Sequence, residues 1–207
     1  TRTKGKIVGN GRVYDVNSLY PAVMYHELLP YGLPQFSASA PNPTNEYPLF
    51  ITSVTLMAKL KPDHIPCIQV KGNLGFSETE YLREIAEPTT VYCTNVDLAL
   101  WNEHYDLDIL AFNGTWHFKA AKGLFKTFID KWSQIKANST GGMRALAKLM
   151  LNSLYGKFAT NPDVTGKIPV LINDTVKLVK GPDETRNPVY TPMGVFITAY
   201  ARSTTLR

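Results

Sequence analysis

The chain has 207 residues, of which 44% are hydrophobic and 11% aromatic, with a formal net charge of +5. This composition is typical of a folded globular protein and excludes an intrinsically disordered one. No apolar run is long enough to span a membrane, and residues 1–12 contain no apolar signal sequence. Only two cysteines occur, Cys67 and Cys93, without metal-ligand spacing, which predicts reduced thiols in an intracellular compartment.

Charge is distributed unevenly along the chain. Residues 46–108 contain ten acidic and four basic residues, a net of −6, whereas residues 119–157 contain eight basic residues and one acidic residue, a net of +7. Such an asymmetry predicts two regions with different partners, although two ordinary solvated surfaces would also produce it. The net positive charge is compatible with a nucleic-acid partner.

The first third of the chain is predicted to be mixed in secondary structure. Residues 7–20 are typical of a β-hairpin with a turn at Gly9-Asn10-Gly11. A short helix is predicted over 21–29, because Pro21 suits a first helical position, and a proline-rich loop over 30–45. β-Branched residues predict strands over 49–60 and 65–70.

Further along, strands are predicted over 89–93 and 107–118, on either side of a helix that Asn95 can cap. From Gly123 onward, apolar residues recur at helical spacing as far as Ile135. A break at 138–142 and a second helix over 143–157 complete a helical hairpin. Alternation at 168–172 and 176–179 predicts a small β-hairpin, and a last helix is predicted from Met193.

The segment YDVNSLYPAVMY, residues 14–25, places chemically useful side chains at the end of a predicted strand. Asp15 is suited to holding a divalent metal beside phosphate groups, and the Ser18 hydroxyl to contacting phosphate oxygens. Tyr20, held by Pro21, could press on a sugar ring. The alternative for Asp15 is a structural one, as a helix cap.

The second helix of the hairpin carries a polar stripe. Arg144, Lys148, Asn152 and Tyr155 are spaced four, four and three residues apart, so that they share one face. Cations in a row suit a polyphosphate, and an aromatic ring suits a stacked base. We expect Gly156 to permit close approach of a ligand or backbone. The helix is expected to pack on its neighbour through Leu146, Leu149, Met150 and Leu154. A solvated helix face is the alternative to a binding site.

These motifs resemble those of a known family. YDVNSLYP is similar to the D-x-x-S-L-Y-P motif of family B DNA polymerases, and KLMLNSLYG to their K-x-x-x-N-S-x-Y-G motif. NVDLALWNEHYDL, KGLFKTFIDKW and NPVYTPMGVFITA resemble the protein-primed polymerases of the phage phi29 type. The resemblance covers essentially the whole chain.

The resemblance implies an α+β fold with five parts. These are a palm strand with the first motif (1–25), a first terminal-protein-region insertion of α+β structure (26–120), a helical fingers hairpin (121–162), a second, short β-hairpin insertion (163–188) and a truncated palm helix (189–207).

The resemblance also implies residue roles. Asp15 and the Val16 carbonyl would hold the catalytic Mg²⁺ or Mn²⁺, Ser18 and Leu19 would lie against the triphosphate of a dNTP substrate, and Tyr20 would reject a ribose 2′-OH. The triphosphate would be bound by Lys136 and Lys148, with Arg144 in support. Further residues would line the nascent base pair (Asn152, Ser153, Tyr155 and Gly156) or contact the template as a T-x-x-A-R element (Thr198, Ala201 and Arg202).

In this family a second metal-binding motif, Y-x-D-T-D-S, would follow Arg207, and an exonuclease domain and a thumb would flank these residues. We therefore expect a fragment of a DNA-directed DNA polymerase, a nucleotidyltransferase of DNA replication that has little or no activity as this chain alone. The implied partners are template and primer DNA and a priming terminal protein, with no membrane, in the cytoplasm, that of the host cell if the protein is phage-encoded. The alternative is a non-catalytic module that binds DNA or a priming protein.

Overall fold

The computed structural model describes residues 8–12, 15–70, 80–187 and 189–207. Its helices are α1 (Leu19–His26), α2 (Asn95–His104), α3 (Lys126–Asn138), α4 (Gly141–Phe158) and α5 (Thr191–Leu206). Its strands are β1 (Leu29–Ser37), β2 (Leu49–Leu60), β3 (Ile68–Val70), β4 (Glu80–Leu82), β5 (Glu84–Thr94), β6 (Tyr105–Ala121), β7 (Asp163–Ile172) and β8 (Thr175–Thr185). The α+β class predicted from the sequence is confirmed.

The largest unit is an antiparallel sheet of four strands in the order β1-β6-β2-β5. Alternate residues of β2 are buried, as expected for a strand with one face on a core. Two buried hydroxyls also join neighbouring strands, since Thr52 Oγ1 lies 3.0 Å from Thr115 Oγ1 and donates to the Gly114 carbonyl at 3.1 Å. The buried hydroxyls thus tie the two central strands, β2 and β6, to each other.

Two hydrophobic cores anchor this sheet. One joins the sheet to the helices: Met24 of α1, Leu29 of β1, Leu151 of α4 and Phe196 of α5 are all buried in it. The other lies within the sheet and α2, around Leu56, Leu100 and Tyr105. The first core fixes α1, α4 and α5 relative to one another, and these are the helices that carry the sequence motifs.

The helical hairpin and the second β-hairpin are both confirmed. Only Ser139 and Thr140 separate α3 from α4, and the two helices pack against each other. Strands β7 and β8 are joined by Asn173 and Asp174, whose φ angles of 51° and 57° are those of a tight hairpin turn. No helix in the described part of the chain combines the length and apolarity needed to cross a membrane.

Several local predictions are wrong. Residues 29–37, predicted within a helix end and a proline-rich loop, form β1 along the edge of the sheet. The cap of α2 is Thr94 rather than Asn95: its hydroxyl accepts from Asp97 N–H at 3.0 Å, and the Asp97 carboxylate accepts from Thr94 N–H at 3.3 Å. Helix α1 begins at Leu19, two residues before the predicted start.

The strands of the predicted N-terminal hairpin lie partly outside the described residues. Residues 8–12 contain no strand, and residues 7, 13 and 14 lie outside the described residues.

The predicted packing of α4 also needs correction, because Leu146 and Leu149 are 43% and 62% exposed whereas Ala147 and Leu151 are buried. Both cysteines are buried thiols rather than a disulfide.

Candidate functional site

A cleft of about 960 Å³ brings together the two sequence motifs. One wall is the turn leading into α1, and the other is the end of α3 with the polar face of α4. The lining includes the predicted site residues Asp15, Val16, Ser18, Leu19, Tyr20, Lys136, Arg144, Lys148, Asn152 and Tyr155. The shared face predicted for α4 is therefore the face turned toward the first motif.

The wall formed by the turn before α1 has an unusual backbone conformation. Ser18 has φ 54° and ψ 41°, in the left-handed region that a serine rarely adopts and that costs on the order of 1 kcal/mol. Its side chain makes no capping bond to α1 and instead accepts a hydrogen bond from Lys136 Nζ at 3.1 Å. The Ser18 hydroxyl therefore does not cap α1, and it links the first motif to α3 instead.

The same lysine is linked to α4 through its backbone. Arg144 Nη1 donates to the Lys136 carbonyl at 2.7 Å. Lys136 is half-buried, whereas Arg144 and Lys148 are exposed to the cleft. Three positive side chains therefore converge on one cavity, and a polyanionic ligand is the natural counterpart of such a set.

Two tyrosines close one end of the cleft. The rings of Tyr20 and Tyr155 are stacked, with centroids 4.3 Å apart and planes 13° from parallel. Burial, and then the neighbouring Tyr20, raise the pKa of Tyr155, while the nearby Arg202 guanidinium acts in the opposite direction. The Tyr155 hydroxyl therefore stays protonated near neutral pH, and the pair of rings offers flat apolar surface with a polar rim.

The acidic side of the cleft is sparse. Asp15 is exposed, and it is the single carboxylate among the described residues that line the cavity. Carboxylate and carbonyl oxygens are the ligands that Mg²⁺ prefers, so Asp15 and Val16 fit part of a magnesium site. Within the described ranges no cluster of three histidine, cysteine or acidic side chains is positioned to complete it.

Five predicted site residues lie outside this cleft. Ser153 donates to the Met150 carbonyl at 3.2 Å, and a side chain added at Gly156 would meet no atom within 4 Å. The remaining three, Thr198, Ala201 and Arg202 of α5, line a second cavity of about 190 Å³ that shares Leu19, Tyr20 and Thr205 with the cleft.

The structure adds one interaction that the sequence interpretation missed. Asp97 is 6% exposed, and one of its oxygens accepts from Arg202 Nη2 at 2.8 Å and from Arg202 Nε at 3.2 Å. Its other oxygen belongs to the α2 capping box. The T-x-x-D spacing at Thr94 signals the cap, but nothing in the sequence signals the partner 105 residues away. The contribution of Thr205 to the cleft likewise has no sequence signal.

Comparisons with known proteins point in one direction. A family model described as DNA polymerase type B, organellar and viral, matches residues 1–206. The chain is 51% identical over 207 residues to the DNA polymerase of Bacillus phage phi29, a match that covers 99% of this chain and 36% of the phage protein. It is 33% identical over 198 residues to the DNA polymerase of Streptococcus phage Cp-1, covering 92% of this chain and 35% of that protein.

A solved structure agrees with these matches. Phi29 DNA polymerase complexed with primer-template DNA and incoming nucleotide substrates superposes with a TM-score of 0.84 at 52% identity, covering 93% of this chain and 34% of that one. The chain thus spans roughly a third of the length of the proteins it resembles.

Proposed function

Because the chain belongs to the organellar and viral type B DNA polymerases, we propose that it forms the nucleotide-binding part of a protein-primed, template-directed DNA polymerase. The observation that carries this proposal is the convergence of both motifs on one cleft, with a carboxylate on one side and three cations on the other. The reaction is the attack of a primer hydroxyl oxygen on the α-phosphorus of a dNTP, with departure of pyrophosphate.

The cations account for triphosphate binding. Lys136 and Lys148 bind the phosphate oxygens, and Arg144 supports them by holding the Lys136 backbone. Ser18, in the turn before α1, and Leu19, the first residue of that helix, lie against the triphosphate. Phosphoryl transfer depends on in-line placement and on cancelling negative charge as it spreads, so cations preset around one cavity meet its main requirement.

The aromatic end of the cleft accounts for sugar and base. Tyr20 rejects a ribose 2′-OH by occupying the space beside the sugar, and its stack with Tyr155 supports that position. The nascent base pair is lined by Asn152, Ser153, Tyr155 and Gly156. The template strand is contacted by Thr198, Ala201 and Arg202, which line the adjoining cavity.

We assign metal binding to Asp15 with the Val16 carbonyl. A divalent ion held there, Mg²⁺ or Mn²⁺, would supply charge neutralisation for phosphoryl transfer. Asp15 provides one carboxylate to this site, and a second is required for the pair of ions. We therefore infer that residues 1–207 alone do not polymerise and that the second carboxylate comes from another part of the longer protein.

The proposed partners are a template, a primer and a priming protein. Residues 46–108 carry a net charge of −6, and Phe36 and Trp116 form an exposed aromatic pair with ring centroids 4.9 Å apart. These features favour binding of a protein partner by the insertion over 26–120, while the basic residues of 119–157 favour binding of DNA. Residues 1–25 and 189–207 then belong to the palm, 121–162 to the fingers and 163–188 to a second insertion. The expected place of action is the cytoplasm of a phage-infected host.

A primer-extension experiment tests the proposal. The full-length protein containing this chain should incorporate templated dNTPs with Mg²⁺, and Asp15→Asn should abolish incorporation while primer-template binding persists. The 207-residue chain should show no incorporation. A full-length protein that binds DNA but incorporates no nucleotide would favour a non-catalytic binding module, and robust extension by the purified 207-residue chain would refute the requirement for a second carboxylate.

A further inference from the structure

The phenol of Tyr105 makes three backbone hydrogen bonds to two neighbouring segments of the chain. Tyr105 is the C-cap residue of α2 and the first residue of β6, and it is 1% exposed. Its hydroxyl oxygen accepts from Cys67 N–H at 2.9 Å and from Ile68 N–H at 3.2 Å, and its proton is donated to the Leu82 carbonyl at 2.7 Å. A single side chain thus uses its whole hydrogen-bonding capacity on one target.

That target is the ribbon of β3 and β4. The two strands pair with each other, Ile68 opposite Leu82, in a sheet separate from the four-stranded one. A two-stranded ribbon is marginally stable unless something else holds it. Ile68 is buried in the core beside Tyr105, and Leu60 N–H holds the Arg83 carbonyl just after the ribbon. Tyr105 is therefore bonded to the chain at both strands, directly at the base of the ribbon.

The next pair of the ribbon faces the palm side of the molecule. Gln69 lies opposite Tyr81 in the register, so both side chains are on one face. Both line the small cavity whose opposite wall contains Tyr20, Thr198 and Arg202. An amide and a phenol from the insertion thus share this cavity with a guanidinium that Asp97 holds in place.

The chemistry of this cavity suits a nucleic-acid strand. A guanidinium and an amide can read base edges or hold phosphate oxygens, and tyrosine rings can stack on bases. We propose that Tyr105 is a positioning residue, whose hydroxyl fixes the ribbon so that Gln69 and Tyr81 complete a strand-binding subsite with Arg202. This inference rests on the proposed polymerase function and adds residues of the insertion to its DNA grip.

Two properties make Tyr105 suited to this role. Burial raises the pKa of its hydroxyl, against the opposing effect of the Ile68 and Cys67 amides, so the donor to Leu82 is retained well above neutral pH. In addition, Tyr105 lines neither the cleft nor the small cavity. Its loss should weaken strand binding without altering the reacting groups.

The test uses the full-length polymerase that contains this chain and a labelled primer-template duplex with a single-stranded 5′ overhang. Fluorescence anisotropy, without nucleotide, gives the Kd for wild type, Tyr105→Phe, Gln69→Ala and the double variant. The matched control is Tyr92→Phe, at a tyrosine of the same insertion that is 77% exposed. Tyr105→Phe should raise Kd about tenfold, the scale of one or two lost hydrogen bonds, and Tyr92→Phe should not change it.

Coupling between the two sites identifies positioning. If Tyr105 acts through the ribbon, Gln69→Ala should raise Kd in the wild-type background and have little further effect beside Tyr105→Phe. The kcat for dNTP incorporation at saturating DNA should be unchanged in Tyr105→Phe. An unchanged Kd in Tyr105→Phe, or effects of the two substitutions that simply multiply, would overturn the proposal.

Folding and function can be separated from this result. Gln69 is exposed, so Gln69→Ala spares the core, and an unchanged Kd in that variant overturns the subsite even if Tyr105→Phe fails to fold. A wild-type protein that incorporates no dNTP would defeat the proposed polymerase function, whereas the Kd comparison would still decide whether Tyr105 positions a DNA-binding ribbon.

Discussion

Tyr20 and Tyr155, 135 residues apart in the chain, stack almost face to face at 4.3 Å where α1 begins and α4 ends. The contact fixes a ring from each motif at one end of the cleft. It also makes Tyr20 a rigid wall, because a ring stacked on a second ring and carried on the first turn of a helix has little freedom to swing aside.

Tyr20→Val in the full-length polymerase tests this wall. Removing the ring should open space beside the sugar, so the ratio of ribonucleotide to deoxynucleotide catalytic efficiency should rise on the order of tenfold or more. Single-nucleotide incorporation kinetics with both sugars give the ratio. Tyr155→Phe, which keeps an aromatic ring for the stack, is the control and should leave the ratio near that of wild type. An unchanged ratio in Tyr20→Val would make the tyrosine a packing residue.

Lys148→Ala tests the basic face of α4 in the isolated chain. Each neutralised phosphate contributes about 0.7 to 0.9 to the slope of log affinity against log salt, so loss of one contact should flatten the slope by that amount. Of the two lysines in the acidic insertion, Lys59 is a better control than Lys61, because Lys59 is exposed and Lys61 is already bonded. Lys61 Nζ donates to the Asn102 and Glu103 carbonyls at the end of α2, at 2.8 and 3.2 Å.

Salt titrations of DNA binding for wild type, Lys148→Ala and Lys59→Ala make the comparison. The wild type and Lys59→Ala should have the same slope of log affinity against log salt, and the slope for Lys148→Ala should be shallower. Equal slopes for all three proteins would remove α4 as the phosphate-binding face.

Cys93 provides a pH-dependent test of the inner core. Burial, followed by the nearby Asp97 carboxylate, raises the pKa of its thiol from 9.0 to about 12. The unfolded chain loses this proton near pH 9, while the folded chain keeps it. The stabilising contribution is therefore complete below about pH 9 and is lost as pH rises toward 12, by up to about 1.4 kcal/mol per pH unit.

Urea unfolding between about pH 8 and pH 10 measures this effect. The free energy of unfolding of the 207-residue chain should fall over this range, and Cys93→Ala should show a shallower fall. Tyr200, whose pKa burial raises from 10.0 to about 12, adds its own loss of stability only above about pH 10. Parallel curves for the two proteins would show that the thiol is not protected by burial.

The sequence predicted well those features that short-range periodicity determines, such as which residues share a helix face. The shared face of Arg144, Lys148, Asn152 and Tyr155 follows from helical spacing, and all four line the cleft. Periodicity did not identify the packed side of the same helix. Leu146 and Leu149 are as apolar as Leu151, but only Leu151 is buried, because the position of α1 and α5 decides which leucine is covered.

Long-range pairing set the other limit. Pro30, Pro34 and Gly32 are loop-forming residues by local preference, yet they form β1 because this strand lies at the sheet edge, where a missing N–H is tolerated. The register between β1 and β6 shifts between Tyr31 and Gln35, within this proline- and glycine-containing stretch. The bond between Asp97 and Arg202 likewise depends on tertiary structure, and no local pattern encodes it.

Gly194 and Gly156 form the sharpest matched pair for stability. Both are helical glycines, one in α5 and one in α4. A Cβ built at Gly194 would lie 2.9 Å from the Phe158 carbonyl oxygen and 3.1 Å from its carbon, both backbone atoms that cannot rotate away. A Cβ at Gly156 would meet nothing within 4 Å. Gly194 therefore sets how closely α5 approaches the end of α4.

The same substitution should accordingly have opposite effects at the two sites. Gly194→Ala should destabilise the chain by about 1 to 3 kcal/mol, because α5 must shift from α4 to admit the methyl group. Gly156→Ala should stabilise it by roughly 0.5 to 1 kcal/mol, since alanine loses less backbone entropy in a helix. Urea unfolding of the 207-residue chain gives both values. Equal changes at the two sites would show that α4 and α5 do not approach each other closely at Gly194.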